Sequence, residues 1–184
     1  MMERIDELEK ALRRSRGRAV VLVHPRFHLS VPLVEDDPRN TPAGRKYLAT
    51  QRAVIQKSKI PVIVFEEEQC AAATKKAFGE KVFIVMTEKS RPEPVGGWKL
   101  LELLKARGLK HGIFGGQRLS CVPFTAAIRA RAVTETLELQ ESGLMLDRRG
   151  FSVYGCVPRA MREFLRRGLR ISFMKNVVYP QKFV

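Results

Sequence analysis

Gly115-Gly116-Gln117-Arg118-Leu119-Ser120-Cys121-Val122-Pro123-Phe124-Thr125 is the stretch of this chain best suited to covalent chemistry. A short apolar run ends in paired glycines, and a cysteine then opens a segment patterned as a helix. A thiol at a helix N-terminus lies among unsatisfied backbone N–H groups and the positive end of the helix dipole. Its thiolate is favoured, and its pKa falls below the ordinary value of about 8.5. The turn ahead of Cys121 offers backbone donors of the kind that hold an oxyanion, with Gly116, Gln117 and Ser120 as candidate substrate contacts. The competing reading of Cys121 is a small buried hydrophobe beneath a helix.

A nucleophilic thiol needs a base and benefits from a nearby cation. His24 closes the first apolar run and Lys89 follows the third, so both stand where strands end. Taken singly, His24 also reads as a hydrogen-bonded strand-end residue and Lys89 as a solvated loop charge. Other chemistries find less support. His24 and His28 lie four apart around Pro25, a spacing that marks a metal pair on a helix and not across a loop. Even with Asp36 and Asp37 as oxygen ligands, no bound metal is expected. The Gly-Gly-Gln-Arg turn lacks the lysine and hydroxyl of a phosphate-binding loop, and no GxGxxG follows the first strand. No cofactor is expected. Cys156, before Val157-Pro158, also meets a helix start, but no glycine and threonine pattern accompanies it, and core packing is its expected fate.

The elements that must position these residues alternate. Ile5, Leu8, Ala11 and Leu12 recur at helical spacing, predicting an N-terminal helix that lays one face on the body and stops at Gly17. Ala19 to Val23 is a continuous apolar run, as in a strand buried on both faces. A long polar loop from Pro25 to about Pro42 follows, then a helix from Thr41-Pro42 to about Ser58. Pro61 to Phe65, Lys81 to Met86 and Gly112 to Phe114 read as further strands, with helices over the alanine-rich segment around Ala71 and from Trp98 to Gly108. Cys121 to about Glu141 reads as helix, Phe151 to Tyr154 as a fifth strand, Pro158 to Arg167 as helix, and Leu169 to Phe173 as a sixth strand.

This alternation predicts a three-layer, Rossmann-like α/β sandwich with a mainly parallel six-stranded sheet. Residues 1–184 form one domain, with 1–17 as a helical appendage. In such a sheet ligands bind beyond the carboxyl ends of the strands, where the strand order reverses. His24, Glu66, Glu67, Thr87, Glu88, Lys89, the segment from Gly115 to Cys121, and Cys156 all fall at such ends.

Three local matches in the same order resemble the isochorismatase-like cysteine hydrolases, which include nicotinamidases and related amidohydrolases. Ala19-Val20-Val21-Leu22-Val23-His24 is similar to the first strand of that family, with His24 where an aspartate belongs. Lys89 precedes Leu100 and the helix ending at Gly108 as the family lysine precedes its own helix. Gly115, Cys121-Val122 and Thr125-Ala126 resemble the family's glycine, cysteine-valine and threonine-alanine spacing, and Ile60-Pro61-Val62-Ile63 resembles the run into its second strand. The resemblance implies a Cys121 thiolate attacking a small amide or related substrate, Lys89 stabilising charge, and His24 in the position of the base. An imidazole can serve there near neutral pH, although it differs from an aspartate in charge and reach. The segment between Cys121 and the fifth strand is longer than the family's usual one.

Charge supports a reading of another class. Lys and Arg number 34 against 19 Asp and Glu, a net charge of +15. Arg13, Arg14, Arg16 and Arg18 cluster near the N-terminus, and Arg159, Arg162, Arg166, Arg167 and Arg170 crowd the last helix. These predict affinity for nucleic acid or an acidic protein partner, or else an ordinary solvated face. A non-catalytic basic α/β module is therefore the alternative to a hydrolase. No apolar run reaches the roughly 20 residues needed to cross a bilayer. Cys70, Cys121 and Cys156 form no CxxC pair, and the N-terminus lacks the apolar core of a secretion signal, so a cytoplasmic protein with reduced thiols is expected. Oligomerisation is left open.

Overall fold

Continuous β-branched runs form the centre of a mainly parallel sheet with helices on both faces. The computed structural model describes residues 4–25, 42–88, 91–123, 151–154 and 156–183, and their side chains except for 43–44, 117–123, 151–154, 173 and 175–183. In chain order the elements are α1 (Ile5–Arg14), β1 (Arg18–Val23), α2 (Pro42–Lys57), β2 (Val62–Glu67), α3 (Glu68–Phe78), a 3-10 turn (Gly79–Lys81), β3 (Val82–Thr87), α4 (Lys99–Ala106), β4 (His111–Pro123), β5 (Phe151–Tyr154), α5 (Cys156–Arg166) and β6 (Arg170–Phe183).

Strand β1 pairs in parallel with β2 on one side and β4 on the other, β2 pairs in parallel with β3, and β4 with β6. The spatial order is therefore β3, β2, β1, β4, β6. Short β5 runs antiparallel to the tail of β4, with Cys121 opposite Val153. Cys121 also pairs with Phe183 of β6, so β5 occupies the edge of β4 that β1 leaves at Gly116.

Side chains alternate between two cores, as strand geometry requires. Ala19, Val21, Val23, Ile63, Phe65, Phe83 and Val85 face Leu8 and Leu12 of α1, Leu101 and Leu104 of α4, and Phe164 of α5. Val20, Leu22, Val62, Val64 and Val82 face Ile55 of α2 and Phe78 of α3. Helix α1 has Asp6 and Glu7 in its first turn and Arg13 and Arg14 in its last, charges that suit its dipole. It ends where Gly17, at φ 77°, donates its N–H to the Leu12 carbonyl at 2.8 Å.

The turn expected at Gly115-Gly116 is absent. Strand β4 runs through both glycines to Pro123, and Cys121 lies within it instead of opening a helix. Gly112 and Gly116 serve close approach instead. A Cβ on Gly112 would fall 2.8 Å from the Phe114 ring, and one on Gly116 would fall 2.1 Å from the Val23 carbonyl oxygen. The helix expected to continue to Glu141, and the long loop after Pro25 with His28, Asp36 and Asp37, lie outside the described residues.

Candidate functional site

The strand order reverses at β1, since β2 and β3 lie to one side and β4 and β6 to the other. The connections from β1 to β2 and from β3 to β4 run through α2 and α4 on opposite faces of the sheet, and in sheets of this kind ligands bind at the reversal point. His24 is the first residue beyond β1. Its backbone turns to φ 47° and its N–H donates to the Phe65 carbonyl at 2.8 Å. The ring is 1% exposed, and its Nε2 lies 3.1 Å from the Thr87 hydroxyl at the end of β3. The imidazole thus spans the carboxyl edge from β1 across β2 to β3.

Two acids stand on the same edge. Glu66 and Glu67 belong to β2 and are buried, because α3 begins directly at Glu68 without an intervening loop. A Glu66 carboxylate oxygen accepts the Glu67 N–H at 3.3 Å, and the Glu67 carboxylate accepts from Gln69 Nε2 at 2.9 Å.

Of the expected site residues, Gly116 is brought beside the end of β1, and the backbone of β4 carries Cys121 onward from it. Gly116 pairs with Val23, directly before His24. Gln117, Ser120 and Cys121 continue along β4, and with a rise of about 3.3 Å per residue roughly 16 Å of strand separates Cys121 from Gly116. The Cys121 backbone is paired with β5 and β6, so neither a helix terminus nor a turn of unpaired N–H groups surrounds it. Lys89 lies outside the described residues.

The thiol found at a helix N-terminus is that of Cys156, the first residue of α5. It is 7% exposed and belongs to the apolar cluster that also contains Val23, the last residue of β1, Phe65 and Phe114. The sequence does carry a marker of this helix start. Pro158 stands in the first turn, where its missing N–H costs no helical hydrogen bond. Cys70, two residues into α3, is 3% exposed and lacks this terminal position.

Among the described residues, no group of three or more His, Cys, Asp or Glu side chains is arranged to hold a metal ion. No helix among them is long and apolar enough to cross a membrane. A cavity of about 410 Å³ lies between α3 and the outer strand β3, lined by Ala71, Lys75, Phe83 and Met86, away from the reversal point. The class defined by these features is a mainly parallel α/β protein with a buried histidine at the carboxyl edge of its sheet. No protein-family model, curated protein or solved structure matches the chain.

Proposed function

We propose that this protein is a thiol-dependent hydrolase of a small amide or related carbonyl substrate, with its active site at the carboxyl edge around His24. The observation that carries this reading is the position of Cys156, at the N-terminus of α5 and in one buried cluster with Val23, the residue before His24. The physical reasons for expecting an activated thiol attach to that position: a helix N-terminus presents its first-turn backbone donors and positive dipole end, which favour a thiolate.

In the proposed reaction His24 takes the thiol proton and the sulfur attacks the carbonyl carbon. The negative charge moves to the carbonyl oxygen, where first-turn N–H groups such as that of Val157 stabilise it. Collapse of this intermediate expels the amine, which receives the proton from His24, and leaves a thioester. Water deprotonated by His24 then attacks the thioester, releasing the acid and returning the proton to the thiolate. Lys89 retains its proposed part as a cation near the reacting charge. Cys121 is the alternative nucleophile.

Alkylation of the native protein with iodoacetamide from pH 5 to 9, followed by peptide mapping, separates the two thiols. Cys156 is expected to be modified fastest, and at lower pH than Cys70 and Cys121. Fastest modification of Cys121 would transfer the nucleophile to β4. If Cys70, Cys121 and Cys156 all react only as ordinary thiols of pKa about 8.5, the hydrolase reading is lost.

A further inference from the structure

The opposite edge of the sheet is strongly basic. The chain returns to the amino ends of the strands through short connections, and each carries Lys or Arg: Arg16 before β1, Lys59 before β2, Lys81 before β3, Lys110 before β4, and Arg167 before β6. At the centre of this edge the register sets three basic residues side by side. Arg18 of β1 is the partner of His111 of β4, which is the partner of Arg170 of β6. Register partners in neighbouring parallel strands share a face and lie about 4.8 Å apart, so the three form a row about 10 Å long.

Backbone hydrogen bonds fix this row. The Gly17 carbonyl accepts the N–H groups of Lys110 at 2.8 Å and His111 at 3.0 Å, and the Lys110 carbonyl accepts the Arg170 N–H at 2.9 Å. Gly17 permits this junction because a Cβ there would fall 2.6 Å from the Gly108 carbonyl oxygen. Three connections are thus stitched together at the point where their charges meet.

Apart from Arg167, these charges meet no protein acid among the described residues. Arg16, Arg18, Lys59, Lys110 and Arg170 are exposed, and among the described residues none of them forms an ion pair. The carboxylates that reach neighbouring connections are held by other arginines: Glu80 by Arg4, and Asp6 and Glu9 by Arg107. Helix α5 differs from the basic face expected of it. Arg162, Arg166 and Arg167 all turn toward the buried Glu163, so much of its charge is spent internally.

We infer that the amino edge of the sheet, centred on Arg18, Lys110, His111 and Arg170 and flanked by Arg16 and Lys59, is a binding surface for the phosphate backbone of nucleic acid. Charge density selects this partner over an acidic peptide. Each strand of a duplex carries one charge per about 3.4 Å of axis, so a row about 10 Å long meets about three phosphates of one strand. An extended peptide rises about 3.3 Å per residue with alternate side chains facing away, and offers the same row one or two carboxylates. The arginines provide planar, paired donors matched to phosphate oxygens. The contacts are to backbone phosphates, so binding is independent of base sequence.

The test uses the full chain and fluorescently labelled duplexes of two unrelated sequences, titrated from 20 to 300 mM salt. Similar affinity for both is expected, with a log–log salt slope reflecting several displaced counterions. The triple variant Arg18→Glu, Lys110→Glu, Arg170→Glu should weaken binding at least tenfold and flatten the slope. The triple variant Arg45→Glu, Arg91→Glu, Lys99→Glu makes the same change in net charge away from this edge, and should alter affinity less than threefold. Circular dichroism of both variants verifies folding. Equal loss in the two triples, no binding by the parent at 20 mM salt, or equally effective competition by polyglutamate would each overturn the inference. None of these readouts depends on a reactive cysteine.

Discussion

Gly116 lies so close to Val23 that a Cβ on the glycine would fall 2.1 Å from the Val23 carbonyl oxygen and 2.6 Å from its nitrogen. At this contact β4 passes the end of β1, one residue before His24. Gly116 also has φ 130°, a conformation that L side chains rarely adopt. Gly116→Ala should therefore destabilise the fold by roughly 3 kcal/mol or more, from backbone strain together with displacement of β1. Gly79→Ala, at φ 53° with open space around its Cβ position, should cost about 1 kcal/mol. Urea denaturation of the two variants measures the difference, and equal losses would mean that the contact with Val23 is unimportant.

His24 and Thr87 provide the second prediction. Thr87→Val keeps the shape of the side chain but removes the hydroxyl 3.1 Å from the buried Nε2. A loss of about 1–3 kcal/mol is expected, whereas Thr87→Ser should cost about 1 kcal/mol or less. If the Val variant is as stable as the Ser variant, this hydrogen bond does not orient the imidazole. His24→Asn should be better tolerated than His24→Ala, because the backbone at φ 47° lies in the left-handed region that asparagine accepts.

Much of the fold was legible because its central strands are apolar on both faces. Ala19–Val23 and Val62–Phe65 contribute to both cores, and no other local structure buries such runs as well. The carboxyl-edge position of His24 followed from the same reasoning. The candidate thiol did not, because Gly115-Gly116 carries the composition of a turn while lying within a strand, with Gly116 in close contact with Val23. Glycine has both uses, and only the tertiary position of Val23 distinguishes them. Cys156 had the opposite difficulty: its helix start was visible in Pro158, but its cluster with Val23 and Phe65 depends on how α5 returns to the sheet.

Glu163 gives a prediction about stability. It is 6% exposed, beside an Arg162 that is 5% exposed with its Nε 3.5 Å away, and it also receives Arg166 at 3.0 Å and Arg167 at 2.6 Å. Glu163→Leu removes the shared anion and leaves buried positive charge, with an expected loss of about 3–5 kcal/mol. The double variant Arg162→Met, Glu163→Leu removes charge of both signs and should recover a large part of that loss. Chemical denaturation of the parent, single and double variants forms the test. Failure of the second substitution to restore stability would show that α5 depends on the contacts of Arg162 and not on charge balance.

His111 makes the basic edge measurable by titration. Burial pushes its pKa below the ordinary 6.5, and the positive charges of Arg170 and then Arg18 push it further in the same direction. Its Nε2 lies 3.0 Å from the Ser172 hydroxyl, and Lys110 is its chain neighbour. For a base with a depressed folded pKa the unfolded chain binds the proton more readily, so stability rises with pH across the interval between the folded and unfolded values. The contribution of His111 is complete above about pH 6.5. It is lost as acidification approaches the lower, folded pKa. Arg170→Ala and Arg18→Ala should each move the His111 titration upward, Arg170→Ala by more, as followed by the imidazole C–H resonances in proton NMR. A bound phosphate backbone should also move it upward by offsetting the two guanidinium charges, whereas a duplex bound elsewhere would leave the titration unchanged.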